Sequence, residues 1–266
     1  MYKKEYSQLT FADDYMFCKI LSSNKDLCKE LLELTLGIRI TRLEITENQV
    51  SMEHKFDARG IRLDIYVEDD NGSIYDIEMQ TIVRKNLPKR TRYYQGMIDL
   101  NLISRGAKFN ELKRTYIIFI CTEDPFKKEL PVYTFDYRCK EDPDILLGDE
   151  ATKVIINATG NRTGLSDEMS AFLDFILTGK GNSSFTHRLE QAVETARTHK
   201  EWEVEYMTLY AKIQEERDEA AINQLIKSLR KYNIPEINIL NDIMTEFNLT
   251  KEEALDFINE YDKQLA

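Results

Sequence analysis

Residues 62–80 read RLDIYVEDDNGSIYDIEMQ, and how the two runs flanking DDNG pair decides the fold. Each run alternates polar and apolar side chains, the period of a strand with one face against a core. In the second run Asp76, Glu78 and Gln80 share one face, while Ile77 and Met79 share the other. Asn71-Gly72 suggests a two-residue turn with Asp70 opposite Ser73. That register sets Asp64 opposite Met79 and mixes polar with apolar side chains on both faces. A three-residue loop, Asp70-Asn71-Gly72 with Gly72 left-handed, pairs Asp69 with Ser73, Tyr66 with Asp76 and Asp64 with Glu78. Ile65 and Val67 then meet Ile77 and Tyr75 on the opposite side. Register is strongly specified where one face is buried, so the longer loop is predicted. It leaves two carboxylates on neighbouring strands, their side-chain bases ~5 Å apart.

Facing carboxylates repel, and three things offset them: protonation of one, a basic neighbour, or a divalent cation. Oxygen ligands without His or Cys favour Mg²⁺ or Mn²⁺. Such an ion commonly serves phosphodiester chemistry, activating water and neutralising charge on phosphate. Taken alone, the two acids also fit an ordinary solvated strand face.

The bulk composition narrows the classes. The chain has 266 residues, 42% hydrophobic and 31% charged, which suits a globular protein with a substantial core. No apolar run approaches the ~20 residues of a membrane span, and MYKKEYSQLTFADDY lacks a signal peptide's apolar stretch, so a cytoplasmic protein without a membrane partner is expected. Cys18, Cys28, Cys121 and Cys139 form no CxxC pair and are expected as buried, reduced thiols. His54, His187 and His199 are too scattered to support a histidine metal site or triad. A net charge of -11 argues against nonspecific nucleic-acid binding, so any such function needs a local basic patch. VRKNLPKRTRYY, residues 83–94, is that patch. It places Arg84, Lys85, Lys89, Arg90 and Arg92 beside Tyr93 and Tyr94 directly after the second acidic strand. A plain solvated loop with core tyrosines is the competing reading.

Outside the hairpin, TFADDYMFCKILSSNKDLCKELLELTL reads as two helices, with Thr10 as first N-cap, SSN as turn and cap, and Gly37 as terminator. IRITRLEITENQV and GIRLDIYVEDD read as strands, and a helix follows Pro88 and closes near Gly106. TYIIFICTE suits a strand buried on both faces, and VYTFDY and KVIINA suit further strands. Beyond residue 165 the pattern is helical: SDEMSAFLDFIL, one or two long charged helices over 187–231, and two short helices split by NLT. The fold class expected is α/β, a central mixed sheet flanked by helices over residues 1–160, then a mostly helical region over 161–266 for packing or oligomerisation.

RLDIYVEDDNGSIYDIEMQ resembles the core of PD-(D/E)XK (restriction-endonuclease-like) nucleases, in a branch with E-x-Q in place of E-x-K. TFADDYMFCKIL, DARGIRLDIYVED, DIEMQ, PKRTRYYQGMIDL and YIIFICTEDPF occur in the order seen in the Rpn family of recombination-promoting nucleases and transposase-like proteins. The resemblance covers roughly residues 8–160. It implies a metal-dependent DNA endonuclease tied to recombination or mobile elements, with Mg²⁺ or Mn²⁺ as cofactor. Asp64 and Glu78 match the metal-binding carboxylates, with the Met79 backbone carbonyl as a further ligand. Gln80 takes the usual lysine's place and orients water or phosphate. Asp14, beside a competing Asp13, matches an extra acid on the first helix. Arg84, Lys85, Lys89, Arg90, Arg92 and Tyr93 would contact DNA, and a homodimer would suit double-strand cutting. An amide lacks the charge of lysine, so a weakly active or inactive nuclease-fold protein that binds DNA or a protein partner is the alternative.

Overall fold

The computed structural model describes residues 4–48, 51–52, 61–82, 85–104 and 106–265. Two helices come first, α1 (Asp14–Ser23) and α2 (Lys25–Leu36). Between them Asn24 caps α2, its side chain accepting the Leu27 N–H, and Gly37 ends α2 at φ 66°. The first cap differs from expectation. The carboxylate of Asp13, not Thr10, organises this entry: it accepts the Thr10 N–H at 2.7 Å and the Thr10 hydroxyl at 2.9 Å, and α1 begins at the next residue.

The chain then forms β1 (Leu43–Asn48), a short β2 (Ser51–Met52) paired with β3 (Ile61–Arg62), β4 (Ile65–Asp69) and β5 (Ile74–Gln80). Helix α3 (Leu87–Leu102) carries Pro88 in its first turn, where no intrahelical N–H is needed. Strands β6 (Thr115–Cys121), β7 (Val132–Phe135) and β8 (Ala151–Asn157) complete one six-stranded sheet of order β1-β4-β5-β6-β8-β7. The β5–β6 and β6–β8 pairs are parallel and the others antiparallel, so the sheet is mixed as expected.

The hairpin has the longer loop. Ile65 pairs with Ile77, Tyr66 with Asp76 and Val67 with Tyr75, and Gly72 sits at φ 79°. Asp69 fixes the loop, its Oδ1 accepting the N–H groups of Asn71 and Ser73 and its Oδ2 the Tyr75 hydroxyl. One sheet face packs Tyr66, Ile74, Ile117, Phe119 and Ile155 against Leu87, Met97 and Ile98 of α3. Ile65, Val67, Ile77, Ile118, Ile120 and Ile156, which alternate with these, are buried on the other face. Burial on both sides explains the unbroken apolar run of β6.

Two compact units emerge, Met1–His199 and Lys200–Ala266. Helices α4 (Asp167–Thr178) and α5 (Ser184–Arg197) therefore belong with the sheet, whereas the sequence grouped them with the C-terminal helices. The Tyr6 hydroxyl donates to the Ala196 carbonyl at 2.7 Å and Arg197 to the Leu9 carbonyl at 2.8 Å, tying α5 to the N-terminal segment. The second unit holds α6 (Lys200–Lys231), α7 (Glu236–Phe247) and α8 (Lys251–Leu265). Its core is Ile222, Ile226, Ile239, Leu240, Ile243, Ala254 and Ile258. Cys18, Cys28 and Cys121 are buried free thiols, and Cys139 is a half-buried one. Among the described residues no helix is long and apolar enough to cross a membrane.

Candidate active site

Asp64 lies one residue before β4, at the height of Glu78 on β5. Two side-chain-to-backbone bonds extend the ladder there. The Asp64 N–H donates to Glu78 Oε1, and the Met79 N–H donates to Asp64 Oδ2, both at 3.0 Å. Each acid is thus held by the other's strand, on one side of the sheet. The Met79 carbonyl leaves β5 on the same side as its N–H, toward Asp64. From the start of α1, Asp14 brings its carboxyl against Asp64; one turn on, the Cys18 sulfur comes near both, with these three ligand atoms within 4.8 Å of one another. Asp13 is turned away, bonded to Thr10 and to Lys4 at 2.7 Å, so Asp14 is the residue that faces the site.

Asp76 joins them. It precedes Glu78 by two residues on the same strand face and is fully buried, and neither carboxyl oxygen has a hydrogen-bonding partner among the described residues. Four acids therefore meet here, and three of them, Asp64, Glu78 and Asp76, hold their protons unusually tightly. Burial first, then the charges of Glu78 and Asp14, push the Asp64 carboxyl well above the ordinary range, against the pull of the Met79 N–H. Burial and then Asp76 do the same to Glu78, eased by the Asp64 N–H and Arg90. For Asp76 the causes are burial and then Asp64; Glu78, outside hydrogen-bonding geometry, and Arg90 ease the shift only in part.

Among the described residues one cation enters the cluster. Arg90, one turn into α3, donates through Nη1 to Gln80 Oε1, reaches Glu78 Oε2 at 3.4 Å and donates to the Tyr94 hydroxyl at 3.1 Å. Its guanidinium also lies 5.1 Å from the centre of the Phe119 ring, so it is packed as well as paired. Gln80 has its other amide end occupied too, Nε2 donating to the Ile82 carbonyl at 2.6 Å.

The other basic-run residues diverge. Lys85, Lys89, Arg92 and Tyr93 are exposed around the start of α3, whereas Tyr94 packs inward; Arg84 lies outside the described residues. Arg92 lines a separate cleft of about 430 Å³ with Leu87, Phe126, Tyr137 and Lys153. Sequence reasoning missed three features. Cys18 was signalled only by its one-turn spacing from Asp14. Asp76 was signalled by sharing a face with Glu78. Arg90's inward aim had no local signal.

The donors fit a small hard cation. Glu78, Asp64 and Asp76 share the charge of the Arg90 guanidinium, and Asp76 has two buried oxygens that nothing among the described residues satisfies. Asp14 and Asp64, whose ligand atoms lie with Cys18 Sγ within 4.8 Å of one another, are the acids grouped closely enough to hold it. Glu78 stands beside them, bonded to the Asp64 N–H, with the Met79 carbonyl on the Asp64 side.

No curated protein and no solved structure gives a significant match to the chain. A family model for the PD-(D/E)XK nuclease family transposases matches residues 11–158, more than half of the 266 residues. The matched span runs from the entry to α1 through β8, and so takes in every element that carries an acid of the cluster. The chain belongs to the PD-(D/E)XK nuclease family of transposases.

Proposed function

We propose that the protein is a divalent-metal-dependent DNA endonuclease serving recombination or mobile elements. The observation that carries this reading is the reciprocal grip of Asp64 and Glu78, each carboxylate held by a backbone N–H of the other's strand. Held so, the two acids stand with Asp14 beside the paired strands β4 and β5, where their mutual repulsion leaves a cation as the natural complement. Asp64, Glu78, Asp14 and the Met79 carbonyl would hold Mg²⁺ or Mn²⁺. When bound, such an ion supplies water activation and charge neutralisation at a reacting phosphate.

The chain's own residues do the rest. Asp64 and Glu78 are fixed before substrate arrives, so no rearrangement is needed to form the anionic cup. Gln80 orients the Arg90 guanidinium, and Arg90 provides the positive charge that E-x-Q lacks. Lys85, Lys89, Arg92 and Tyr93, exposed about the α3 start, suit contact with the DNA backbone, an assignment extended to Arg84 from sequence alone. The test is Mg²⁺-dependent nicking of plasmid DNA. Asp64→Ala should abolish it with the far-ultraviolet dichroism unchanged, and equal cleavage by both proteins would overturn the assignment.

A second reading, a DNA- or protein-binding module with little or no cleavage, is favoured by Gln80, whose amide is bonded at both ends. Tight DNA binding with no Mg²⁺-dependent nicking under any tested divalent ion would support it.

A further inference from the structure

We propose that Asp76 is a further ligand of the divalent cation, a buried carboxylate that completes the cup formed by Asp64 and Glu78. The inference rests on the metal part of the reading above, and adds a residue that the pattern of two strand acids plus a helix acid does not include.

Its position comes from the sheet. Asp76 pairs with Tyr66 on β4 and Ile117 on β6, and Ile74 precedes it by two residues on the same face. All three neighbours are buried, so the side chain stands among two isoleucines and Tyr66, with the other acids and, at longer reach, Arg90 as its charged company. Burying a carboxyl there without a partner costs several kcal/mol, of the order of ~2–7 for a polar group and more for a charged one. A side chain kept only for packing would be as well served by a leucine or valine.

Comparison with the other buried polar side chains sharpens the point. Asp69 accepts three hydrogen bonds, Thr91 and Thr115 donate to nearby carbonyls, and Asn157 and Thr186 are each multiply bonded. Glu78 has the Asp64 N–H and Arg90. Among the described residues in that buried class, Asp76 is the one whose side-chain oxygens are both unmatched. Arg90 does not fill the gap, since its donors go to Gln80, Glu78 and Tyr94. A hard cation between the acids satisfies Asp76 and lessens the repulsion around it with one ligand.

Mn²⁺ titration, followed by the electron paramagnetic resonance of the free ion, tests this on the full chain without reference to cleavage. Wild type, Asp76→Asn and Asp64→Asn are compared, with thermal unfolding of each protein with and without Mn²⁺. The expected result is Mn²⁺ affinity weaker in Asp76→Asn by at least about 10–100-fold, the loss usual for an outer-shell partner and so a floor for a direct ligand. That variant should also unfold at a higher temperature than wild type when metal-free, and gain less from Mn²⁺. If Asp64→Asn loses Mn²⁺ but Asp76→Asn keeps wild-type affinity, Asp76 is not a ligand and the metal reading stands. If wild type takes up no Mn²⁺, the metal reading and this inference fail together. Should Asp76→Asn not fold, a wild-type crystal soaked in Mn²⁺ decides. An anomalous peak within about 2.6 Å of an Asp76 oxygen supports the ligand role, and a bound ion without that contact overturns it.

Discussion

Glutamine two positions past Glu78 carries no charge, and in this fold Arg90 brings one from the neighbouring helix. Its planar fork spans Gln80 and Glu78 while its face lies against Phe119. An ammonium is a single point charge on a flexible stem and cannot hold both groups in one plane. Arg90→Ala is therefore expected to lower Mg²⁺-dependent cleavage by about 10²–10³-fold, the usual loss when one electrostatic stabiliser is removed. Arg90→Lys should recover only part of it. Initial nicking rates at saturating Mg²⁺ check both, and an Arg90→Ala rate equal to wild type would exclude the residue from the chemistry. The sequence marked Arg90 as one of a run of bases for DNA contact. It could not separate Arg90 from Arg92, because their directions depend on how Leu87, Met97 and Ile98 seat α3 on the sheet. Asp13 and Asp14 are a similar case. Adjacent and chemically alike, they were separated only once Thr10 and Lys4 had claimed Asp13.

The β4–β5 hairpin was legible before any coordinates because its evidence is local: the alternation of apolar residues and the conformational demand of one glycine. That demand is testable. A Cβ at Gly72 would meet nothing closer than Glu68 Oε1 at 3.8 Å, so Gly72→Ala would suffer only the strain of φ 79°. The expected loss is about 1–2 kcal/mol, read from urea unfolding, and no loss would mean that the loop is not left-handed there. The break between β3 and β4 was not legible. GIRLDIYVEDD alternates without interruption, yet β3 pairs with β2, and β4 pairs with β1 and β5. A change of partner leaves no mark in the alternation, and it is at this break that Asp64 finds its place. The turn after β6 was equally silent. There Asp124 accepts the N–H groups of Phe126, Lys128 and Glu129 and the Tyr133 hydroxyl, while Lys127 and Glu129 adopt positive φ. After an opposing desolvation effect, those bonds hold the Asp124 carboxyl below its ordinary 3.8. In the unfolded chain the proton binds more readily, so the contribution is complete well above pH 3.8 and fades as pH falls through the lowered folded value. Asp124→Ala should cost about 1–2 kcal/mol at neutral pH. Unfolding curves of variant and wild type should converge below pH 3.8, and a constant difference down to pH 2 would contradict that linkage.

Where the sheet-bearing unit ends is a property of packing and not of sequence texture. Composition turns helical near residue 165, which is why 161–266 read as one region. The compact unit instead runs to His199, since α4 and α5 complete the burial of the N-terminal helices. Phe172, Phe175 and Phe185 are buried, Phe11 lies 5.5 Å from Phe175 ring to ring, and the Arg197–Leu9 and Tyr6–Ala196 bonds join segments far apart in the chain. Amphipathic pattern shows that a helix has a buried face but not which neighbour buries it. Two truncations separate the readings. A chain ending at His199 retains this whole packing set and should unfold cooperatively, with the Mn²⁺ response of the full-length protein. A chain ending at Thr186 keeps Phe185 but loses Leu189, Val193 and Ala196, all buried side chains of α5. Losing buried apolar side chains at about 1.5–3 kcal/mol for a leucine or valine, together with the long-range bonds, should exceed the 5–15 kcal/mol margin of a typical domain or come close to it. Dichroism-monitored melting should therefore give a sharp transition for the longer fragment and a broad or absent one for the shorter. Equal melting of the two would place most of α5 outside the unit and move the boundary back to Thr186 or earlier.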